Sequence, residues 1–92
     1  MDHEKFIEVA KKEILYNEKN RRDLDNNIID SLSIKDVFIV WSCKTLQNSK
    51  ALLSMKHKGA YYYEVTMDGS SGVIYIDSYT KVNQKRLQLK SK

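Results

Sequence analysis

The chain has 92 residues, 41% hydrophobic and 30% charged, with a formal net charge of +4. That length makes one domain around one small core, and that composition is too apolar for a disordered chain. The single Cys43 excludes an internal disulfide, and the apolar run Val37 to Trp41 is far short of the ~20 residues of a membrane helix.

The opening Met1-Asp2-His3-Glu4-Lys5 has no apolar run behind it, so it does not read as a signal peptide. The expectation is a cytoplasmic protein with no membrane partner. Residues 3–20 have the pattern of an amphipathic helix. Phe6, Ile7, Val9, Ala10, Ile14 and Leu15 recur at spacings of three and four. Asp2 is the expected N-cap, and Lys19, Arg21 and Arg22 lie where a helix C-terminus favours cations. Residues 21–35 form a polar connector in which Ile28, Ile29, Leu32 and Ile34 are apolar anchors. Those four form either a short second helix or a loop pinned to the core.

A sheet is expected over 36–80. Val37–Leu46 is the first strand, rich in β-branched and aromatic residues. Gln47-Asn48 is the expected turn, and Lys50–His57 returns. Lys58-Gly59 turns again into Tyr61–Met67. Asp68-Gly-Ser-Ser-Gly72 is a loop, and Val73–Tyr79 is the fourth strand. Turns this short join antiparallel neighbours. The expected fold is therefore α+β, an N-terminal amphipathic helix packed on one face of a four-stranded antiparallel meander. Leu87 and Leu89, in the basic tail 81–92, alternate with polar residues and are candidates for a fifth strand.

Period two then assigns the faces. Ile39, Trp41 and Cys43 share a side with Leu53, Met55, Tyr63, Val65, Met67, Ile74 and Ile76, the side expected under the helix. Trp41 reads as core, and Cys43 as a buried structural thiol. The opposite side carries Phe38, Val40, Lys44, Lys56, Tyr62, Tyr75 and Tyr79, a mixed aromatic and basic surface suited to a partner.

Catalytic and metal-binding patterns are weak. His3 and His57 are far apart, and Cys43 would meet His57 only through strand register. Asp23-Leu24-Asp25 resembles the start of a calcium loop but lacks its central glycine and distal glutamate. Glu64 and Asp77 read as exposed acids balancing nearby lysines rather than as a catalytic pair. The expectation is a protein that is not an enzyme and has no cofactor.

Charge is unevenly placed. Nine of the twelve acids lie in residues 2–36, whereas Val37–Tyr63 holds Lys44, Lys50, Lys56 and Lys58 and no acid. Such asymmetry points to an anionic partner or to a solvated surface with a basic tail.

The run Val40-Trp-Ser-Cys-Lys-Thr-Leu-Gln-Asn-Ser-Lys-Ala-Leu-Leu-Ser54 resembles the signature of a family of small proteins encoded by phages and prophages of Gram-positive bacteria. Phe6-Ile-Glu-Val-Ala-Lys-Lys12, Tyr62-Tyr-Glu-Val-Thr66 and Tyr75-Ile-Asp-Ser-Tyr-Thr-Lys81 resemble it too. That family has no assigned activity, so the resemblance implies a genetic setting and not a mechanism.

Three functional readings follow. The favoured one is a small phage-encoded protein that binds and modulates or inhibits a host protein or defence complex, through Lys44, Lys56, Tyr62, Tyr75 and Tyr79. The alternative is nucleic-acid binding by Lys50, Lys58, Lys81, Lys85 and Arg86 together with the Lys/Tyr face. The third is a homodimer paired through an open strand edge.

Overall fold

The computed structural model describes residues 2–80 and 85–88. Helix α1 spans His3–Lys19, helix α2 Asn26–Ser31, and a 3-10 turn Ile34–Asp36. Strands β1 Val37–Thr45, β2 Asn48–Met55, β3 Tyr62–Asp68 and β4 Val73–Tyr79 form one antiparallel sheet in the order β1-β2-β3-β4. The expected α+β meander is the observed fold.

Helix α1 starts where Asp2 accepts the Lys5 N–H at 2.7 Å, satisfying one of the free first-turn donors. Its buried stripe, Phe6, Ala10, Ile14 and Glu18, recurs every four residues. The helix lies across β1, β2 and β3. Beneath it the core is made by Val37, Ala51, Leu53, Met55, Tyr63, Val65 and Met67. Burying Phe6 or Ile14 there stabilises the fold by roughly 1.5–3 kcal/mol each.

The connector resolves into the helical alternative. Asp25 caps α2 by accepting the Asn27 N–H at 2.7 Å. Leu32 is buried and Ile28 packs against the core, whereas Ile34 is exposed. Ser33 and Asp36 form a capping box at the 3-10 turn, and the Asp36 carbonyl accepts the Lys56 N–H, tying this segment to the end of β2. Lys85–Gln88 have no regular structure and are exposed, so Leu87 adds no strand. Lys81 and Leu89 lie outside the described residues.

The first hairpin differs from the expected one. Thr45 pairs with Asn48, so the turn is Leu46-Gln47, and Leu46 adopts φ +56°. A two-residue hairpin loop needs positive φ at its first central residue, and here leucine supplies it.

A second difference governs the open face. Ile39 pairs with Leu53, but Trp41 pairs with Leu52, so Val40 is an extra residue in a β-bulge. A one-residue offset moves every later side chain to the other face. Trp41 and Cys43 therefore face away from the helix, and Ser42 and Lys44 face towards it. His3 on α1 confirms this assignment, with its ring nitrogens 3.2 Å from the Ser42 hydroxyl and 3.4 Å from the Ser49 hydroxyl. Trp41 is 41% exposed and is not core, and Cys43 is exposed rather than a buried thiol.

Candidate functional site

Among the described residues, no helix packs on the sheet face opposite α1. Its residues follow from the register. One row across the strands reads Trp41, Leu52, Glu64, Asp77, and the row beside it reads Cys43, Lys50, Thr66, Tyr75. On the other side of the first row, Tyr62 pairs with Tyr79. Trp41, Tyr62, Tyr75 and Tyr79 are all exposed, at 41%, 42%, 57% and 51%. Each of these rings has an apolar body and one polar atom, the composition of protein contact surfaces.

Sequence reasoning placed Tyr62, Tyr75 and Tyr79 here, and the structure brings these three together. It does not bring Lys44 with them. Lys44 pairs with the buried Ser49 and lies on the helix side, because the bulge reverses its phase. Lys50 takes the open-face position instead, 3.3 Å from Glu64. Lys56 and Lys58 are exposed just beyond β2, and Lys85 and Arg86 are exposed in the tail. The aromatic and basic surface expected on this face thus carries acids as well, with Glu64 and Asp77 directly opposite each other.

A second cluster lies under the sheet and was missed. Glu18, the last residue of the buried stripe, is fully enclosed. Tyr63 donates its hydroxyl proton to one carboxylate oxygen of Glu18, and His57 Nε2 donates to the other at 2.7 Å. One guanidinium nitrogen of Arg21 lies 3.1 and 3.2 Å from the two oxygens and also donates to the Gly59 carbonyl at 2.8 Å. Gly59 takes φ +84°, a conformation that glycine adopts freely. Arg21 closes the cluster by bonding both oxygens of Asp23 and lying over the Tyr61 ring, 3.6 Å from its centroid.

This cluster joins α1, the connector, the β2–β3 loop and β3. The hydrogen bond to Asp23, reinforced by the charges of Glu18 and Asp23, raises the Arg21 pKa above its ordinary value despite burial. The same bond lowers the pKa of Asp23. Burial, then the bond to Glu18, pushes the Tyr63 phenol well above its ordinary value of 10.0. Both carboxylate oxygens of Glu18 are engaged within the protein, so the cluster's chemistry is that of a fastener. One sequence signal marked it, namely that Glu18 falls four residues after Ile14 on a stripe otherwise apolar.

His57 is thereby committed to Glu18, and Cys43 pairs with Lys50, so the two never meet. Among the described residues no three His, Cys, Asp or Glu side chains come together as metal ligands. No described helix is long and apolar enough to cross a membrane. A half-open hollow of about 400 Å³ lies where the β1–β2 and β3–β4 turns meet, lined by Lys44, Leu46, Gln47, Met67, Gly69 and Gly72.

The model of the Family of unknown function (DUF6275) matches residues 7–89. The chain belongs to that family. The match takes in nearly all of α1, the whole sheet and the exposed Lys85–Gln88, so both the open face and the buried cluster lie within it. No curated protein and no solved structure matches the chain.

Proposed function

We propose that this protein is a non-enzymatic binding module that docks a partner protein on the open face of its sheet and modulates it. One observation carries this reading: Trp41, Tyr62, Tyr75 and Tyr79 stand exposed on one sheet face that no described helix covers. Aromatic rings of this kind dominate the energetics of protein interfaces and lose little side-chain freedom on binding. The resemblance to phage and prophage proteins supports a host protein or defence complex in a bacterial cytoplasm as that partner. Glu64 and Asp77 on the same face oppose a phosphate backbone, and Lys50 is already paired with Glu64, which favours protein over nucleic acid.

The test is capture from host lysate with the wild-type chain, a Trp41→Ala/Tyr75→Ala variant, and a Glu8→Ala/Lys12→Ala control on the exposed side of α1. A stoichiometric partner kept by the control and lost by the open-face variant supports the reading. A partner indifferent to the open face, or a salt-dependent gel shift with single-stranded DNA or RNA that Lys85→Ala/Arg86→Ala abolishes, overturns it.

A further inference from the structure

The open face is asymmetric. Its β1–β2 half carries Trp41 and Leu52 beside Cys43 and Lys50, and its β3–β4 half is acidic and phenolic. Glu64 and Asp77 are direct register partners on one face, where like charges repel. Lys50 offsets Glu64 at 3.3 Å, and among the described residues Asp77 has no ion-pair partner. Asp77 sits between Tyr75 and Tyr79, two residues away on either side and pointing the same way. The exposed Asp77 and the half-buried Glu64, shared with Lys50 and set beside the phenols of Tyr75 and Tyr79, make a surface complementary to a cation. The molecule already contains this chemistry internally, where Arg21 lies over the Tyr61 ring while bonding Glu18 and Asp23.

Resting on the docking reading above, we infer that the open face recognises a partner protein by one of its arginine or lysine side chains, seated over Glu64 and Asp77 between the rings of Tyr75 and Tyr79, with an apolar side chain of the same partner on Trp41 and Leu52. The outer members of the two anchors, Trp41 on β1 and Asp77 on β4, lie three strand spacings apart, about 14 Å. An extended segment spans that distance in about four residues, so a cation and an apolar residue four positions apart satisfy both ends. A second copy of this chain fits poorly, because a two-fold axis across the strands sets acid against acid, and one along the strands sets the carboxylates against Trp41 and Leu52.

The experiment uses the full chain labelled with nitrogen-15 and the probe peptide acetyl-Leu-Gly-Thr-Gly-Arg-amide, titrated to millimolar concentration. Control peptides carry citrulline or glutamate in place of the arginine. The expected result is saturable movement of the Glu64, Tyr75, Asp77 and Tyr79 amides and of the Trp41 indole N–H, with affinity at least about tenfold weaker for the citrulline peptide. Glu64→Gln/Asp77→Asn abolishes the movement while leaving the spectrum dispersed and the melting temperature equal or higher, because the like-charge pair is gone. No saturable movement on this face, or equal movement with the controls, overturns the inference. Stronger movement of the same amides by oligothymidine overturns it too. A lysate partner lost with Trp41→Ala but bound undiminished by Glu64→Gln/Asp77→Asn overturns this inference and leaves the docking reading standing. A partner indifferent to both variants removes the two together.

Discussion

Tyr63 on β3 donates its phenolic proton to Glu18 on α1, across 45 positions of sequence and inside the core. The pair lies where the apolar underside of the helix ends, so the helix is held by packing along Phe6, Ala10 and Ile14 and by directed hydrogen bonds at its last turn. Packing alone is tolerant of small slides, whereas a carboxylate with three donors is not. The cluster therefore sets the helix at one position on the sheet.

Alkaline pH tests this directly. The Tyr63 pKa is raised above its unfolded value of 10.0, first by burial and then by the bond to Glu18. Below pH 10 both states keep the proton, and the stabilisation is fully present. As pH rises above 10 the unfolded state releases its proton while the folded state holds on, so stability falls by up to about 1.4 kcal/mol per pH unit. Tyr63→Phe should lose about 1.5–3 kcal/mol at neutral pH and show a smaller decline above pH 10. Urea melts from pH 7 to 11.5 measure both, and a variant with the wild-type slope would refute the assignment.

Glu18→Gln should cost more, about 3–5 kcal/mol, because it leaves Arg21 and His57 facing an amide in place of a carboxylate. Either orientation of that amide puts an N–H₂ against a donor, since Arg21 reaches both oxygen positions, with His57 at one and Tyr63 at the other. The two substitutions share one network. Tyr63→Phe made in the Glu18→Gln background should therefore cost less than in the wild type, and a double-mutant cycle by chemical denaturation reads the coupling. Additive losses would mean the groups act independently.

Where the chain repeats with a clear period, its structure was legible. The four-residue stripe from Phe6 marks α1, and the polar breaks near Gly59 and at Asp68–Gly72 mark the later turns. Alternation fails at Ile39-Val40-Trp41, because three consecutive apolar residues carry no phase and an extra residue among them leaves no trace. That one ambiguity placed Trp41 and Cys43 in the core and Lys44 on the open face. The Glu18 cluster was hidden for another reason. Two of its three donors to Glu18, His57 and Tyr63, lie 39 and 45 positions away, a separation that only the folded topology closes.

Deleting Val40 separates the two pictures. If β1 alternated regularly, the deletion would turn Trp41 and every later residue of the strand to the opposite face and disrupt the sheet. With Val40 as the bulged residue, Ile39 keeps Leu53 and Trp41 keeps Leu52 when it is gone. The expected outcome is a folded protein whose tryptophan emission and acrylamide quenching remain those of an exposed ring. Deleting Ser42, within the regular part of the ladder, should unfold or rearrange the hairpin. If the Val40 deletion unfolds the chain as readily, the bulge is not the source of the reversed phase.

The β1–β2 turn offers a gain in stability. Leu46 holds φ +56° with 91% of its surface exposed, so it bears the strain of a left-handed conformation with almost no burial in return. Leu46→Asn should raise stability by up to about 1 kcal/mol, because asparagine enters this region with less strain. The neighbouring turn gives the opposite result. A Cβ on Gly69 would stand 1.8 Å from the Gln47 carbonyl oxygen, and the Gly69 N–H bonds the Asn48 side chain at 3.0 Å. Gly69→Ala must push the two turns apart and break that bond, which should lower the melting temperature. Thermal melts of both variants decide the matter: a neutral Gly69→Ala would mean the turns are not in contact in solution, and a destabilising Leu46→Asn would mean the leucine side chain is held by something at the hairpin tip.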